Sequence, residues 1–158
     1  MVAVAARLRG TVDTPLGPFW VEVEEDAVTR SGWGTVPDAA SDDPVLREAL
    51  AELRAYFEDG SERFTVPIRP RADGLAARVL DALRAIPCGE TRTYGDLARD
   101  LGAPAQAIGQ ACGANPVPIL IPCHRVLSAH GLGGFSAPGG VETKVWLLRH
   151  EGAASLLI

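Results

Sequence analysis

The chain has 158 residues, of which 47% are hydrophobic, and its formal net charge is −5 at pH 7. This length is enough for one ordinary domain, or for a small domain with a partner lobe. No run approaches the roughly 18 apolar residues that a membrane span needs, and no charged segment followed by an apolar block opens the chain. We therefore expect a soluble cytoplasmic protein without a membrane partner.

The charge is distributed unevenly along the chain. Residues 1–70 carry 7 basic and 13 acidic side chains, whereas residues 71–158 carry 8 basic and 7 acidic ones. A polyanion such as DNA would therefore meet the second half, and even there it would find no strong basic field.

Cysteine usage indicates free thiols. Cys88, Cys112 and Cys123 form an odd set without the spacing of a disulfide framework. Reduced thiols in a reducing compartment are the simpler interpretation. The chain also lacks CxxC and HExxH patterns, so we expect no metal site.

The first 70 residues predict an antiparallel sheet with one helix. Residues 17–25 alternate apolar and polar side chains with a period of two, which is typical of a half-buried strand. The predicted inward residues are Phe19, Val21 and Val23, and the predicted outward residues are Trp20, Glu22 and Glu24. Flanking segments and residues 62–68 are further strand candidates. Asp43 and Pro44 predict the start of the helix, and Gly60 predicts its end.

The second half predicts a mostly helical lobe. Helices are expected over residues 75–87, 93–102, 104–114 and 141–152. The second helix begins with Thr93-x-x-Asp96, a relative of the capping box. About two residues separate it from the third helix, which is the spacing of a helix-turn-helix but also of a plain αα-hairpin. Small residues from Ala105 to Gly113 make the third helix thin enough to pack closely on its own core or in a nucleic-acid groove.

The stretch ILIPCHRV places a thiol, an imidazole and a guanidinium at positions 123–125, after an apolar run. A thiol with a pKa of about 8.5 holds only a few per cent of the nucleophilic thiolate at neutral pH. His124 is the candidate base, and Glu151 is a candidate for orienting it. In an extended strand, Cys123 and His124 point to opposite faces, so their contact needs a bend or a bridging water.

Plainer interpretations remain for these residues. Cys123 can be a small buried hydrophobe, as cysteine often is. Arg125 can be either a brace for the backbone or a phosphate contact.

Four segments carry a family resemblance: GETRTYGDLA, GANPVPILIPCHRV, GLGGFS and KVWLLRHEG. In order and spacing they resemble the O6-alkylguanine-DNA alkyltransferases, the methylated-DNA–protein-cysteine methyltransferases. The resemblance implies an α/β (α+β) fold in two parts. Residues 1–70 would form an RNase H-like lobe of antiparallel sheet and helix, and residues 71–158 a winged helix-turn-helix DNA-binding and alkyl-acceptor domain.

The resemblance implies a suicide DNA repair reaction. Cys123 resembles the thiol that takes the alkyl group irreversibly from guanine O6, His124 the base that acts through a water, and Glu151 its orienting partner. Asn115 resembles the hinge between the recognition helix and the active-site strand. No cofactor is needed, because guanine is the leaving group and the thioether is stable.

The resemblance also implies that the partner is double-stranded DNA containing alkylated guanine, which a monomer enters by the minor groove and flips out of the stack. Tyr94 resembles the tyrosine that crowds the phosphate 3′ to the lesion, and Ser136 the loop residue that contacts the flipped base. The main-chain carbonyls of Cys123 and Val126 resemble the acceptors for the guanine amino group. The other expected substrate or DNA contacts are Ala105, Gln106, Cys112, Arg125 and Phe135.

The sequence departs from the family pattern where DNA is handled. Gln106 stands where the family usually has an arginine that inserts into the stack, and glutamine brings no charge and a shorter reach. Phe135 replaces a pocket tyrosine and lacks its hydroxyl. Cys88 replaces an aromatic residue, and Cys112 falls on a pocket-lining position.

These departures keep an alternative open, an alkyltransferase-like lesion-recognition protein with weak or no transfer because of Gln106 and Phe135. Retention of Cys123 favours transfer, because members built for recognition alone normally lack that cysteine. From other classes, a Cys-His-Glu hydrolase of small molecules and an acidic interaction protein that never touches DNA remain.

Overall fold

The computed structural model describes residues 7–37, 42–61 and 63–153. The chain divides into two compact units, Met1–Arg71 and Ala72–Ile158. None of the described helices is long and apolar enough to cross a bilayer.

The first unit contains a three-stranded antiparallel sheet with the strand order β1–β2–β3. Its strands are β1 (Leu8–Thr14), β2 (Gly17–Glu24) and β3 (Ala27–Trp33). Glu25 and Asp26 join β2 to β3, and both have positive φ values of 49° and 62°. Positive φ at both central residues is the geometry of the turn that matches the twist of a two-residue hairpin.

The alternation predicted for β2 is correct for its inward residues and wrong for two outward ones. The three apolar side chains are buried and Trp20 is half-buried, but Glu22 and Glu24 are only 2% and 6% exposed. Nε of Arg9 lies 2.8 Å from Glu22, and Nη2 of Arg71 lies 2.8 Å from Glu24. Buried carboxylates are tolerated when they are paired in this way, and hydropathy alternation cannot detect such pairs.

Helix α1 (Pro44–Glu58) follows the predicted signals at its start. The side chain of Asp43 accepts a hydrogen bond from the backbone N–H of Leu46 at 2.9 Å, and Pro44 occupies the first turn. The helix ends at Glu58, before the predicted Gly60, because Asp59 is already extended.

Gly10 allows α1 to approach β1 closely. A Cβ at Gly10 would lie 2.8 Å from Cδ1 of Leu50, which is closer than ordinary packing permits. Leu46 of the same helix face is buried against this position.

The strand predicted over residues 62–68 is wrong for its described part, and Glu62 lies outside the described residues. Residues 63–68 make a single parallel bridge, between Ile68 and Val28. Pro67 has no N–H to extend a ladder. The N–H groups of Thr65 and Val66 instead donate to the carboxylate of Glu52 on α1, each at 3.0 Å.

The second unit contains the four predicted helices, with ends shifted by at most three residues. Its elements are α2 (Gly74–Arg84), β4 (Arg92–Thr93), α3 (Tyr94–Leu101), α4 (Ala105–Gly113), a 3₁₀ turn (Cys123–Arg125), β5 (Val126–Leu127) and α5 (Val141–His150). Strands β4 and β5 are parallel and pair Arg92 with Val126 and Thr93 with Leu127. This pairing places the start of α3 beside the end of the 3₁₀ turn.

Local signals set the helix pair α3–α4. The hydroxyl of Thr93 accepts from the N–H of Asp96 at 3.0 Å, and the carboxylate of Asp96 accepts from the N–H of Thr93 at 2.9 Å, which confirms the capping box. Gly102 ends α3 in the left-handed region at φ 64°, a conformation that favours glycine. Pro104 then precedes α4.

Candidate active site

Cys123 lies in the 3₁₀ turn, so the chain bends at the point where an extended strand would have placed Cys123 and His124 on opposite faces. Pro122 precedes it with φ −84° and ψ 67°, which ends the extended run, and a proline cannot donate to a ladder. The side-chain amide of Asn115 donates to the carbonyl of Ile121, and its oxygen accepts from the N–H of Val117, both at 2.9 Å. Asn115 therefore fixes the run before Cys123 to the end of α4.

Cys123 is only 9% exposed. Burial raises the pKa of its thiol, and the hydrogen bond with Asn115 and the positive charge of Lys144 oppose that rise. The thiol is therefore protonated in the resting protein, and a thiolate has to be generated during any reaction.

His124 and Glu151 form a buried pair. Nε2 of His124 lies 2.7 Å from Oε2 of Glu151, and both side chains are completely buried. Burial alone opposes ionisation of Glu151, but the hydrogen bonds and charges of His124 and then Arg125 outweigh it and lower its pKa to about 2. Glu151 is therefore a carboxylate, which can only accept, so Nε2 of His124 carries the hydrogen.

The other ring nitrogen of His124 is free within the described residues. Nδ1 is buried and makes no hydrogen bond to any described group. When Nε2 carries the hydrogen, Nδ1 of the neutral ring is an acceptor. The arrangement therefore presents a buried proton acceptor next in sequence to the thiol.

Arg125 is a brace. Its Nε and Nη2 donate to the two oxygens of Glu151 at 2.8 and 3.1 Å, and its Nη1 donates to the carbonyl of Ile86 at 2.7 Å. Each of the three guanidinium nitrogens therefore has a partner inside the protein, and the side chain is nearly buried. These bonds favour the brace over the phosphate contact, and the contact of Arg125 with DNA stays a prediction.

Lys144 is a site residue that sequence reasoning missed. It is completely buried on α5, and its Nζ donates to the carbonyls of Val126 at 2.6 Å and Gly134 at 3.2 Å. Burial lowers its pKa to about 8, against the opposing effect of the two thiols Cys123 and Cys112. A signal was present, because Lys144 lies on the same helical stripe as Leu147 and Leu148, the core-facing side of α5.

Tyr94 and Cys112 lie close to Cys123. Burial, followed by the charges of Cys112 and Cys123, raises the pKa of Tyr94. Burial, followed by the charge of Cys123, raises the pKa of Cys112 to about 12. Nζ of Lys144 is 6.0 Å from the centre of the Tyr94 ring. The structure thus brings together two thiols, a phenol and an ammonium.

The loop after β5 borders this cluster at Gly133, which packs on Tyr94, and at Gly134, whose carbonyl accepts from Lys144. A Cβ added to Gly133 would lie 3.2 Å from Cε2 of Tyr94, and one added to Gly113 would lie 3.7 Å from Oγ of Ser136. Phe135 is half-buried and Ser136 is exposed. The hydroxyl of Thr143, on α5, donates to the carbonyl of Pro138 at 2.5 Å.

The predicted residues of α4 divide between two faces. Cys112 and Ile108 are buried, whereas Ala105 and Gln106 are exposed. Gln106 therefore does not point into the cluster around Cys123. Within the described ranges, no group of three or more His, Cys, Asp or Glu side chains is placed to hold a metal ion.

Two protein families match this chain, one for each of its two compact units. Residues 8–70 match the family of the 6-O-methylguanine DNA methyltransferase ribonuclease-like domain. Residues 75–153 match the family of the 6-O-methylguanine DNA methyltransferase DNA binding domain.

Whole-chain relatives agree. A methylated-DNA–protein-cysteine methyltransferase of Methanosarcina acetivorans is 35% identical over 89% of this chain and 96% of its own. One from Salmonella typhimurium is 38% identical over 92% and 95%. The crystal structure of Mycobacterium tuberculosis OGT in complex with DNA is 36% identical over 92% and 93%, with a TM-score of 0.78. The chain belongs to the methylated-DNA–protein-cysteine methyltransferase family.

Proposed function

We propose that this protein repairs DNA by moving an alkyl group from O6 of guanine to Sγ of Cys123, irreversibly and once per molecule. Relatives at 35% and 38% identity carry the name of this activity, and a solved relative binds DNA. The observation that carries the proposal is the buried thiol of Cys123 followed by a histidine whose Nε2 is held by Glu151 and whose Nδ1 is free to accept a proton.

The His124–Glu151 pair supplies the base. Glu151 holds the neutral tautomer in which Nδ1 is the acceptor, and it stabilises the imidazolium that forms when Nδ1 takes a proton. A water between Nδ1 and Sγ relays the proton, which agrees with the unpaired buried nitrogen. Lys144 lowers the pKa of the Cys123 thiol and so favours the thiolate.

The transfer step is a displacement at carbon. The thiolate of Cys123 forms the S–C bond as the C–O6 bond breaks, and the electron pair of that bond leaves with guanine. The proton removed from the thiol balances the proton that the guanine takes up. No oxidant or reductant takes part, so we expect no cofactor.

The burial of Cys123 requires that the lesion leave the helix. A thiol that is 9% exposed cannot reach an atom inside stacked duplex DNA, so the alkylated guanine has to be flipped. Tyr94 and the loop containing Phe135 and Ser136 would contact the flipped nucleotide. The Val126 carbonyl, whose first partner is Lys144, keeps a second lone pair for the guanine amino group.

Helix α4 would enter the minor groove, where its small residues permit close approach. Gln106, exposed on that helix, would fill the space that the flipped base leaves. Thiol, histidine, glutamate and lysine all come from one chain and one unit, so a monomer suffices.

A second function has one observation in its favour. Phe135 lacks a hydroxyl for protonating the leaving guanine, which favours recognition of alkylguanine with little transfer. The Phe135→Tyr variant distinguishes alkyl transfer from recognition without transfer. A large gain in transfer rate would indicate that the wild-type protein mainly recognises the lesion, and an unchanged rate would indicate that transfer does not need the hydroxyl.

Repair can be tested on the DNA. A duplex carrying O6-methylguanine inside a restriction site is incubated with the protein and then digested, because the lesion blocks cleavage. The wild-type protein should restore cleavage in proportion to the protein added, Cys123→Ser should not, and Cys88→Ser should. No restoration by the wild-type protein would contradict the proposed function.

A further inference from the structure

The carboxamide side chains of this protein are confined to one short segment. The 158 residues contain two glutamines and one asparagine, namely Gln106, Gln110 and Asn115. Asn115 is engaged with Ile121 and Val117. Gln106 and Gln110 are both exposed on α4, and residues 103–115 contain no charged side chain.

The two glutamines share one face of α4. Residues four apart on a helix lie one above the other, so Gln110 continues the line that Gln106 begins. Ile108 and Cys112 face the buried side. Gly109 flanks the pair and has open space where a Cβ would stand, so no bulky side chain beside the two amides prevents close approach.

We propose that Gln110 is a second DNA-contacting residue, whose amide hydrogen-bonds to the minor-groove edge of a base pair beside the lesion. This inference rests on the proposed function. In the minor groove, A·T pairs show only acceptors, and G·C pairs add the amino donor of guanine. A carboxamide both donates and accepts, so it can bond to either pair, whereas a lysine or arginine would favour phosphates.

The helix spacing limits how far from Gln106 the amide of Gln110 can act along the duplex. One turn of α-helix advances about 5.4 Å, and stacked base pairs are about 3.4 Å apart. Gln110 therefore lies at most about two base-pair steps from the position of Gln106. A neutral helix face also releases few counterions, so the amide contact should contribute affinity that does not depend on salt.

The test measures binding against salt concentration. Duplexes with and without O6-methylguanine are titrated in a Cys123→Ser background, so that the lesion is not consumed. The variants are Gln110→Ala, Gln110→Lys and Ala51→Lys, the last adding the same charge at an exposed position of α1. The backbone carbonyl of Gln110 that accepts from Ala114 remains in all of them.

The expected result has two parts. Gln110→Ala should weaken binding about fivefold, the effect of one lost hydrogen bond, with the salt slope unchanged. Gln110→Lys should steepen the slope by about 0.9, the effect of one added phosphate contact, whereas Ala51→Lys should not. If Gln110 had only a structural role, away from the DNA, the Gln110→Lys variant would keep the salt slope of the parent protein.

Three outcomes overturn the inference alone: wild-type affinity in Gln110→Ala, an unchanged slope in Gln110→Lys, or an equal change of slope in Ala51→Lys. If the parent protein binds neither duplex, the proposed function fails, and the inference fails with it.

Discussion

Nε2 of His124 and Oε2 of Glu151 are 2.7 Å apart, and both side chains are completely buried. The same carboxylate accepts two hydrogen bonds from Arg125, at 2.8 and 3.1 Å. One carboxylate therefore fixes the histidine tautomer and neutralises a nearly buried guanidinium. Changes at Glu151 should affect both the reaction and the stability of the protein.

Glu151→Gln should slow alkyl transfer on the order of 10³-fold. A glutamine can present its amide N–H to Nε2, which moves the ring hydrogen to Nδ1 and removes the proton acceptor. Single-turnover transfer from a lesion duplex measures the rate. The matched control is Glu142→Gln, the same change at an exposed position of α5, which should react like the wild type. A wild-type rate in Glu151→Gln would show that the pair does not serve the chemistry.

Glu151 should also make the free energy of unfolding decrease at acidic pH. Its pKa falls from 4.5 to about 2 in the folded protein. Because the folded pKa is the lower one, the stabilisation is fully present above pH 4.5 and is lost as pH falls towards 2. The loss should be on the order of 3 kcal/mol. Denaturant unfolding at a series of pH values measures it, and Glu151→Gln should lack this component of the pH dependence.

The parts of the fold that depend on hydrogen bonds between residues close in the chain could be predicted from the sequence. Asp43 caps α1, and Thr93 with Asp96 caps α3, because such hydrogen bonds join residues close in the chain. The burial of Glu22 was not predictable, since its partner Arg9 lies on another strand and no periodicity reports such a pair.

The candidate site was predictable only in part. The thiol–imidazole pair suggested Cys123, His124 and Glu151, the resemblance gave each of them a role, and whether they act in those roles stays a prediction. Lys144 was missed although it lies on the apolar stripe of α5, because a buried lysine is rare and its backbone partners cannot be identified from sequence. The sequence left open whether the chain bends at Cys123, and the structure places a 3₁₀ turn there, directly after Pro122.

Lys144→Met should raise the pKa of Cys123, because the ammonium of Lys144 opposes the rise that burial causes. A rise of one pKa unit would slow alkylation of the thiol about tenfold at neutral pH. The rate of iodoacetamide labelling of Cys123, followed by mass across pH, measures this. Arg149→Met, an exposed cation on the same helix, should leave the rate unchanged. Equal rates in both variants would contradict the role of the buried charge.

Thr143 should anchor the loop before α5. Its hydroxyl donates to the carbonyl of Pro138, and a Cβ at Gly139 would lie 2.6 Å from that hydroxyl oxygen, so the loop is packed tightly there. Thr143→Val keeps the shape and removes the donor, at a cost of about 1 kcal/mol. In the Thr143→Val variant, backbone hydrogen exchange should accelerate over residues 137–142. Thr143→Ser keeps the hydroxyl and should exchange like the wild type. Equal exchange rates in the two variants would contradict the claim that this hydroxyl holds the loop.

The most direct test of the central claim is the intact mass of the protein after incubation with a duplex that carries one O6-methylguanine. The account predicts one added methyl group per molecule, located on the peptide that contains Cys123, no further addition with excess DNA, and none with unmodified duplex. An unchanged mass, with the lesion duplex still bound, would contradict transfer and support recognition alone.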